Sequence, residues 1–308
     1  MQHVLTLVAP PEELSPACLS RVAKALTALG AECGEPDWLS EREAADIPFR
    51  HLSPQAAMAT AQTALEGLPV DAIAQPLAIR RKALLVADMD STIVAGETLD
   101  ELAAQAGLKE RIAAITARAM NGELDFASAL RERVAMLAGL EESALERTWA
   151  ALRIMPGAPE LIATMRAAGA HTVLVSGGFT FFTARVADLL GFDEHRSNIL
   201  EVAGGVLSGR VKEPILDKDA KLSILRERAA ARGLPLELAL AVGDGANDLP
   251  MLLAAGLGVA FRAKPSVQAA ARVRINHADL CALLFAQGFR RAEFCPGRDL
   301  RLPEHKAL

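Results

Sequence analysis

The chain has 308 residues, enough for two domains or for one large domain carrying an insertion. Hydrophobic residues make up 51% and charged residues 23%, a globular balance that excludes a disordered or collagen-like chain. Lys and Arg number 33 against 38 Asp and Glu, a formal charge of −5, and aromatics are 4% with no Tyr, so neither electrostatic capture nor base stacking of nucleic acid is expected.

The N-terminal MQHVLTLVAPPEEL lacks a positive n-region, and its apolar stretch stops at Pro10-Pro11, unlike a signal peptide. VLTLV (Val4 to Val8) reads as a strand. Ser15 to Leu29 carries Leu19, Val22, Leu26 and Leu29 at helical spacing and ends at Gly30. Gly34 to Pro54 gives no clear period. Residues 1–75 are therefore expected as a small α/β accessory domain, joined by a linker near Gly67 to Ile79 to a domain over 80–308.

From Ala83 the pattern changes. Short apolar runs stop in polar, small-residue turns: ALLVA then DMDST, HTVLV then SGGF, LALAV then GDGAND. Each is strand length and is followed by a helical pattern, which predicts an open, mostly parallel α/β sheet with the three turns on one rim. Between the first two turns lies a helical excess, about residues 97–153. There Thr98-x-x-Glu101 reads as a capping box, and further helices are expected over 109–120, 126–137 and 142–152. This predicts an all-α cap over the rim. NILEVAGGVLSGRVK alternates around Gly204-Gly205 and predicts a β-hairpin. MLLAAGLGVAF (Met251 to Phe261) is short of the ~20 residues of a membrane span and reads as core. Cys18, Cys33, Cys281 and Cys295 have no C-x-x-C or zinc spacing and are expected as free thiols, in keeping with a cytoplasmic protein.

Three turns carry chemistry. Asp88 and Asp90, at i and i+2 at a strand end, put two carboxylates on one side, a pair that needs a cation or a shared proton. Ser176-Gly177-Gly178, expected to open a helix, offers a hydroxyl and backbone N–H groups to a phosphate. Asp244 and Asp248, beside strand-end glycines, offer the hard oxygen ligands that Mg²⁺ prefers.

DMDST, Ser176, Lys221 and GDGANDLP, in that order, resemble the motifs of the haloacid dehalogenase superfamily of phosphohydrolases. Within it, Gly96-Glu97, VSGGF and GDGANDLPML resemble the phosphoserine phosphatase family. The resemblance implies a Rossmann-like parallel sheet with an inserted cap. The N-terminal block lies outside it and is only loosely similar to small ACT-like modules. It also implies Mg²⁺-dependent hydrolysis of O-phosphoserine, the last step of serine biosynthesis, with Asp88 as nucleophile and Asp90 as acid–base group. Mg²⁺ would be held by Asp88, the Asp90 backbone carbonyl and Asp244, with Asp248 behind them. Ser176, Gly177 and Lys221 would surround the phosphate, and Asn247 would orient the phosphate or metal-bound water. Lys221 is preferred to Lys218 on the resemblance alone.

Glu97 would take the substrate ammonium and an arginine its carboxylate. Phe126, Leu130, Val134 and Leu137 define an apolar stripe with Arg133 at its edge and Arg131 opposite, so Arg133 is the residue expected to face inward. Met120 is a further candidate contact, although a core position is the better reading for it. The rivals are a relative acting on homoserine or another small amino alcohol, and a receiver-like signalling protein, against which the cap and Asp90 argue. A third is an amino-acid sensor built on residues 1–75. No membrane or nucleic-acid partner is expected, and the oligomeric state stays open, a homodimer included. A fragment beginning near Leu77 is expected to hydrolyse on its own.

Overall fold

The computed structural model describes residues 2–120, 123–217 and 219–297, the side chains of 117, 119 and 120 excepted, and two sheets organise them. Lys218 and the side chain of Met120 lie outside what is described. In the first sheet β1 (His3–Val8) pairs antiparallel with β4 (Ala44–Arg50) and β5 (Asp71–Pro76). The short β2 (Glu32–Cys33) and β3 (Asp37–Ser40) lie beyond β4. Two helices cover it, α1 (Pro16–Ala28) and α2 (Pro54–Ala64). Both start with serine at the N-cap and proline at the first position, and Ser15 and Ser53 accept the N–H groups of Cys18 and Ala56.

The expected linker over Gly67 to Ile79 is corrected: it contains β5. DAIAQP has one large apolar residue, too weak a signal for a strand, yet pairing with β1 buries five of its six residues. Gly34 to Pro54, indeterminate in sequence, supplies β3 and β4.

The second sheet begins with β6 (Leu84–Asp88), leaves through β7 (Val94–Ala95), and enters four helices: α3 (Thr98–Gln105), α4 (Lys109–Met120), α5 (Phe126–Ala135) and α6 (Ser143–Ala151). The chain returns through β8 (Arg153–Ile154), which pairs with β7 and closes the neck of this helical cap. Next come α7 (Ala158–Ala167), β9 (His171–Phe179), α8 (Thr180–Leu190) and β10 (Glu194–Asn198). The hairpin β11 (Leu200–Ala203) and β12 (Val206–Val211) turns at Gly204-Gly205, both at positive φ, and leans on the cap: the Gly139 N–H donates to Leu207 O and the Leu207 N–H to Leu140 O. The chain finishes with α9 (Ala220–Ala231), β13 (Ala239–Gly243), α10 (Leu249–Ala254), β14 (Leu257–Phe261), α11 (Pro265–Ala270), β15 (Val273–Ile275) and α12 (Ala282–Ala286).

The six parallel strands lie in the order β10-β9-β6-β13-β14-β15. Period two sorts the apolar runs to opposite faces. Leu85 and Ala87 of β6 pack into one core with Leu161 and Phe182, whereas Leu84 and Val86 pack into the other with Leu225 and Met251. The strands fill one side of β6 first and then the other. The crevice at the carboxyl ends of β6 and β13 is thus a topological switch point, where open α/β sheets bind ligands.

Two local expectations change. No capping box forms at Thr98, because Glu97 occupies the N-cap without a side-chain bond and the Thr98 N–H goes to Asp90 instead. SGGF does not open a helix. It is the irregular end of β9, which runs past a bulge opposite Arg196 and Asn198, and α8 starts at Thr180.

The first sheet is anchored to the second. The β1 strand is buried under α2 on one face and α12 on the other. The Asp71 carboxylate accepts the N–H groups of Asn276, His277 and Ala278 at 2.9, 3.0 and 2.9 Å. Gln75 Nε2 donates to Ala286 O at 2.6 Å, and Arg80 pairs with buried Asp46 at 2.8 Å. Among the described residues no helix is long and apolar enough to cross a membrane. The four cysteines are free.

Candidate active site

Each expected turn reaches the same crevice. Asp88 is the last residue of β6, with Met89 turned wholly into the core, and Asp90 follows in the loop. Lys221, in the first turn of α9, is buried, and its Nζ lies 2.5 Å from Asp88 Oδ1 and 2.5 Å from Asp248 Oδ1. The other Asp248 oxygen accepts the N–H groups of Asp244 and Gly245 at 3.1 and 2.9 Å, which ties the GDGAND turn to the lysine. Gly243 has no room for a Cβ because the Asp248 carboxylate fills that space.

Carboxylate oxygens of Asp88, Asp244 and Asp248 lie within 4.8 Å of one another, all three buried. Burial and the Asp248 charge push the Asp88 carboxyl well above its usual range, against the pull of Lys221. Burial and Asp248 also raise Asp244. Burial would lower Lys221, but Asp248 and Asp88 outweigh it and hold the ammonium above its ordinary value. One ammonium among three buried carboxylates leaves uncompensated negative charge, and the oxygens around it are hard donors. The donor set fits a divalent cation such as Mg²⁺.

Asp90 stands apart from that trio. Its Oδ1 accepts the Thr98 N–H at 2.8 Å and its Oδ2 accepts the Ser176 hydroxyl at 2.9 Å. Ser176 Oγ in turn accepts the Gly178 N–H at 2.8 Å. The single Ser176 proton therefore serves Asp90 here, while Oγ remains at the rim where a phosphate was expected. A Cβ on Gly178 would crowd Ser176 Oγ, Asp90 Oδ2 and Thr98 Oγ1 at 3.0, 3.2 and 3.3 Å, so glycine is what lets these groups converge. Among the described residues Thr98 Oγ1 is buried without a partner. Asn247 is half-buried in the same turn as Asp244.

The cap supplies the remaining residues. Glu97 is open to solvent by area, but its carboxylate stands in a cleft wall and takes the Ser91 hydroxyl at 3.0 Å. Crowding by protein atoms, with Asp90 and Asp244 nearby, pushes it up to about 7 against Ser91 and Lys264. Arg133 is half-buried and faces inward. Burial lowers it, countered by the Asp100 and Glu97 charges. Arg131 points outward to Glu213 at 2.7 Å. The Phe126 ring would lie 3.0 Å from a Cβ on Gly177, so the cap closes directly over the glycine loop.

A cavity of about 160 Å³ in the neck is lined by Glu97, Thr98, Glu101, Thr148 and Arg153. A larger hollow, about 690 Å³, opens at the opposite ends of the strands, by Arg166, His171, Asp193 and Arg232, and touches none of these groups.

Three participants escaped sequence reasoning: the Thr98 N–H, Lys264 and Asn198, which binds the Gly177 carbonyl from β10. A backbone donor and an interior asparagine leave no motif. Lys264, on the loop after β14, was findable only as another rim position.

The model of the haloacid dehalogenase-like hydrolase family matches residues 85–253. A phosphoserine phosphatase of Streptomyces coelicolor is 45% identical over 237 residues, 77% of this chain but 58% of that protein, so the chain spans little over half of that relative's length. Phosphoserine phosphatase SerB2 of Mycobacterium tuberculosis is 40% identical over 297 residues, 94% of this chain and 72% of that protein. A crystal structure of a probable phosphoserine phosphatase from Vibrio cholerae, in unliganded form, superimposes with a TM-score of 0.77 at 31% identity, covering 95% of this chain and 88% of that one.

Proposed function

Because the chain belongs to the haloacid dehalogenase-like hydrolases, in the phosphoserine phosphatase family, we propose that it hydrolyses O-phosphoserine to serine and phosphate through an aspartyl phosphate on Asp88. The observation that carries this reading is the separation of two neighbouring carboxylates: Asp88 lies against the Lys221 ammonium, while Asp90 is held by the Thr98 N–H and the Ser176 hydroxyl. Two carboxylates in contrasting environments suit a nucleophile and an acid–base group.

In the first step an Asp88 oxygen attacks phosphorus in line, the bond from phosphorus to the serine oxygen breaks, and protonated Asp90 gives its proton to that oxygen. Water then attacks the phosphorus of the aspartyl phosphate, passes a proton to Asp90 and releases phosphate, restoring both residues. Lys221, Ser176, the Gly177 backbone and Asn247 line the phosphoryl oxygens, where fixed donors act most strongly as charge shifts. Asp88, Asp244 and the Asp90 backbone carbonyl would hold Mg²⁺, which when bound neutralises charge between nucleophile and phosphate. Asp248 keeps Lys221 in place. Glu97 receives the substrate ammonium and Arg133 its carboxylate, a bidentate fit for a guanidinium. The first sheet serves as an accessory unit, and the reaction is assigned to the cytosol, in keeping with four free thiols.

The test is phosphate release from O-phosphoserine, with a panel of small phosphomonoesters and with Mg²⁺ present or chelated. Many Mg²⁺-dependent turnovers are expected, with an acid-stable phosphoryl enzyme. Asp88→Asn should lose about four orders of magnitude of rate and all of that intermediate. A single stable phosphoryl group per chain would point to a receiver, and preference for another amino alcohol phosphate would change the substrate.

A further inference from the structure

Asn198 lies at the end of β10, just past the bulge, and is buried with 2% of its surface exposed. None of the three polar turns that carry chemistry includes it. Its amide Nδ2 donates to the Gly177 carbonyl at 2.9 Å, with a longer contact of 3.5 Å to Leu216 O. Its Oδ1 accepts the Leu216 N–H at 2.7 Å. Two carbonyls on one side and an N–H on the other fix which way the amide points.

The Gly177 carbonyl and the Gly178 N–H belong to one planar peptide unit and point in opposite directions. By holding the carbonyl, Asn198 aims the N–H at Ser176 Oγ, 2.8 Å away. That bond occupies an Oγ lone pair and leaves the Ser176 proton directed at Asp90 Oδ2 at 2.9 Å. The bonds form one chain from Asn198 through a peptide and a hydroxyl to the acid–base carboxylate, each polarising the next. The other side of the amide fixes Leu216, five residues before Lys221. A buried side chain thus stands between the two segments that carry the acid and the phosphate-facing lysine.

We propose that Asn198 is a positioning residue for the reaction, setting the Asp90 carboxyl through the Gly177–Gly178 peptide and Ser176 for proton transfer to the leaving oxygen. This rests on the reading of Asp90 as the acid. It predicts a signature that a stability role lacks. Serine leaves as a poor alkoxide and needs the proton, whereas p-nitrophenolate leaves without one. Loss of Asn198 should therefore damage phosphoserine cleavage more than p-nitrophenyl phosphate cleavage.

Measure kcat/KM on both substrates for the full chain, Asn198→Ala, Asn198→Asp and Asp90→Asn. Asn198→Asp keeps an oxygen for the Leu216 N–H and loses the donor to Gly177. The ratio of the two kcat/KM values is unaffected by a partly unfolded sample, since both substrates see the same folded fraction. The expected result is a selective fall in that ratio of about tenfold or more in both Asn198 variants, in the same direction as Asp90→Asn. Equal losses on both substrates, or none, in Asn198 variants while Asp90→Asn is selective would overturn the role of Asn198. An Asp90→Asn variant that loses both substrates equally would overturn the underlying assignment of the acid, and the proposal with it.

Discussion

The backbone N–H of Thr98 donates to Asp90 Oδ1, so the first residue of the cap holds a carboxylate that belongs to the body of the fold. Asp90 therefore loses a donor whenever α3 moves away. The N–H can be removed without breaking the helix. Thr98 is the first helical position, where proline is favoured, and Glu97 before it is extended at φ −107 and ψ 115, as a residue preceding proline must be. Thr98→Pro should lower kcat/KM for phosphoserine about tenfold to a hundredfold with little change in melting temperature, while Thr98→Ala, which keeps the N–H, should stay near wild type. A Thr98→Pro enzyme with full activity would mean that the bond does not matter to the acid.

The Asp71 carboxylate predicts a different outcome. It satisfies three N–H groups after β15 and touches no group of the site. Asp71→Ala should cost about 3 kcal/mol, read as a lower urea midpoint, with kcat unchanged. The same seam bears on a fragment starting at Leu77. It would uncover α12 and strip Asp46 from Arg80, so such a fragment should melt well below the whole chain even if its site stays competent.

Much of this was legible in the sequence because the relevant signals are local. Buried strands such as ALLVA announce themselves as apolar runs, and the stripe through Phe126, Leu130 and Val134 was enough to point Arg133 inward and Arg131 outward. The strand β5 was not legible, because alanine-rich DAIAQP is buried by its partner β1 rather than by its own hydrophobicity. The Thr98 cap departs from its sequence pattern for a related reason. The pattern Thr98-x-x-Glu101 fits a capping box, but a nearby carboxylate from another element competes for the same N–H and wins. Asn198 shows the general limit: its bonds join segments 21 and 18 residues away, and nothing in the intervening sequence records the pairing.

If Glu97 receives the substrate ammonium, it imposes a pH dependence. Crowding, Asp90 and Asp244 raise its carboxyl to about 7, so it is ionised above that pH and neutral below it. A neutral Glu97 no longer attracts an ammonium. The kcat/KM of the full chain for phosphoserine should therefore fall by up to about tenfold per pH unit as pH drops below 7. The second ionisation of the substrate phosphate, near pKa ~6, contributes to any such profile, so the informative comparison is with Glu97→Gln. That variant should be weaker at pH 8 and should lack the limb near 7. An identical limb in both proteins would assign it to another group.

The substrate assignment depends most on Arg133. It is half-buried in α5, bonded only to Ala129 O at 3.3 Å among the hydrogen bonds described, and close enough to Glu97 and Asp100 to feel their charges. A guanidinium removed from water with no carboxylate paired to it has capacity for an incoming one. Arg131, two residues earlier, is exposed and already paired with Glu213. If Arg133 grips the serine carboxylate, it acts on a part of the substrate that does not react and helps orient the phosphate for attack. Arg133→Ala should then lose about two orders of magnitude or more in kcat/KM for phosphoserine and little for p-nitrophenyl phosphate, which has no carboxylate to hold. Arg131→Ala should leave both substrates unchanged and move stability by no more than about 0.5 kcal/mol, as for other exposed ion pairs. Equal losses on the two substrates in Arg133→Ala would make that arginine structural or a phosphate contact. A selective loss confined to Arg131→Ala would place the carboxylate on the outer face of α5, against the orientation found here.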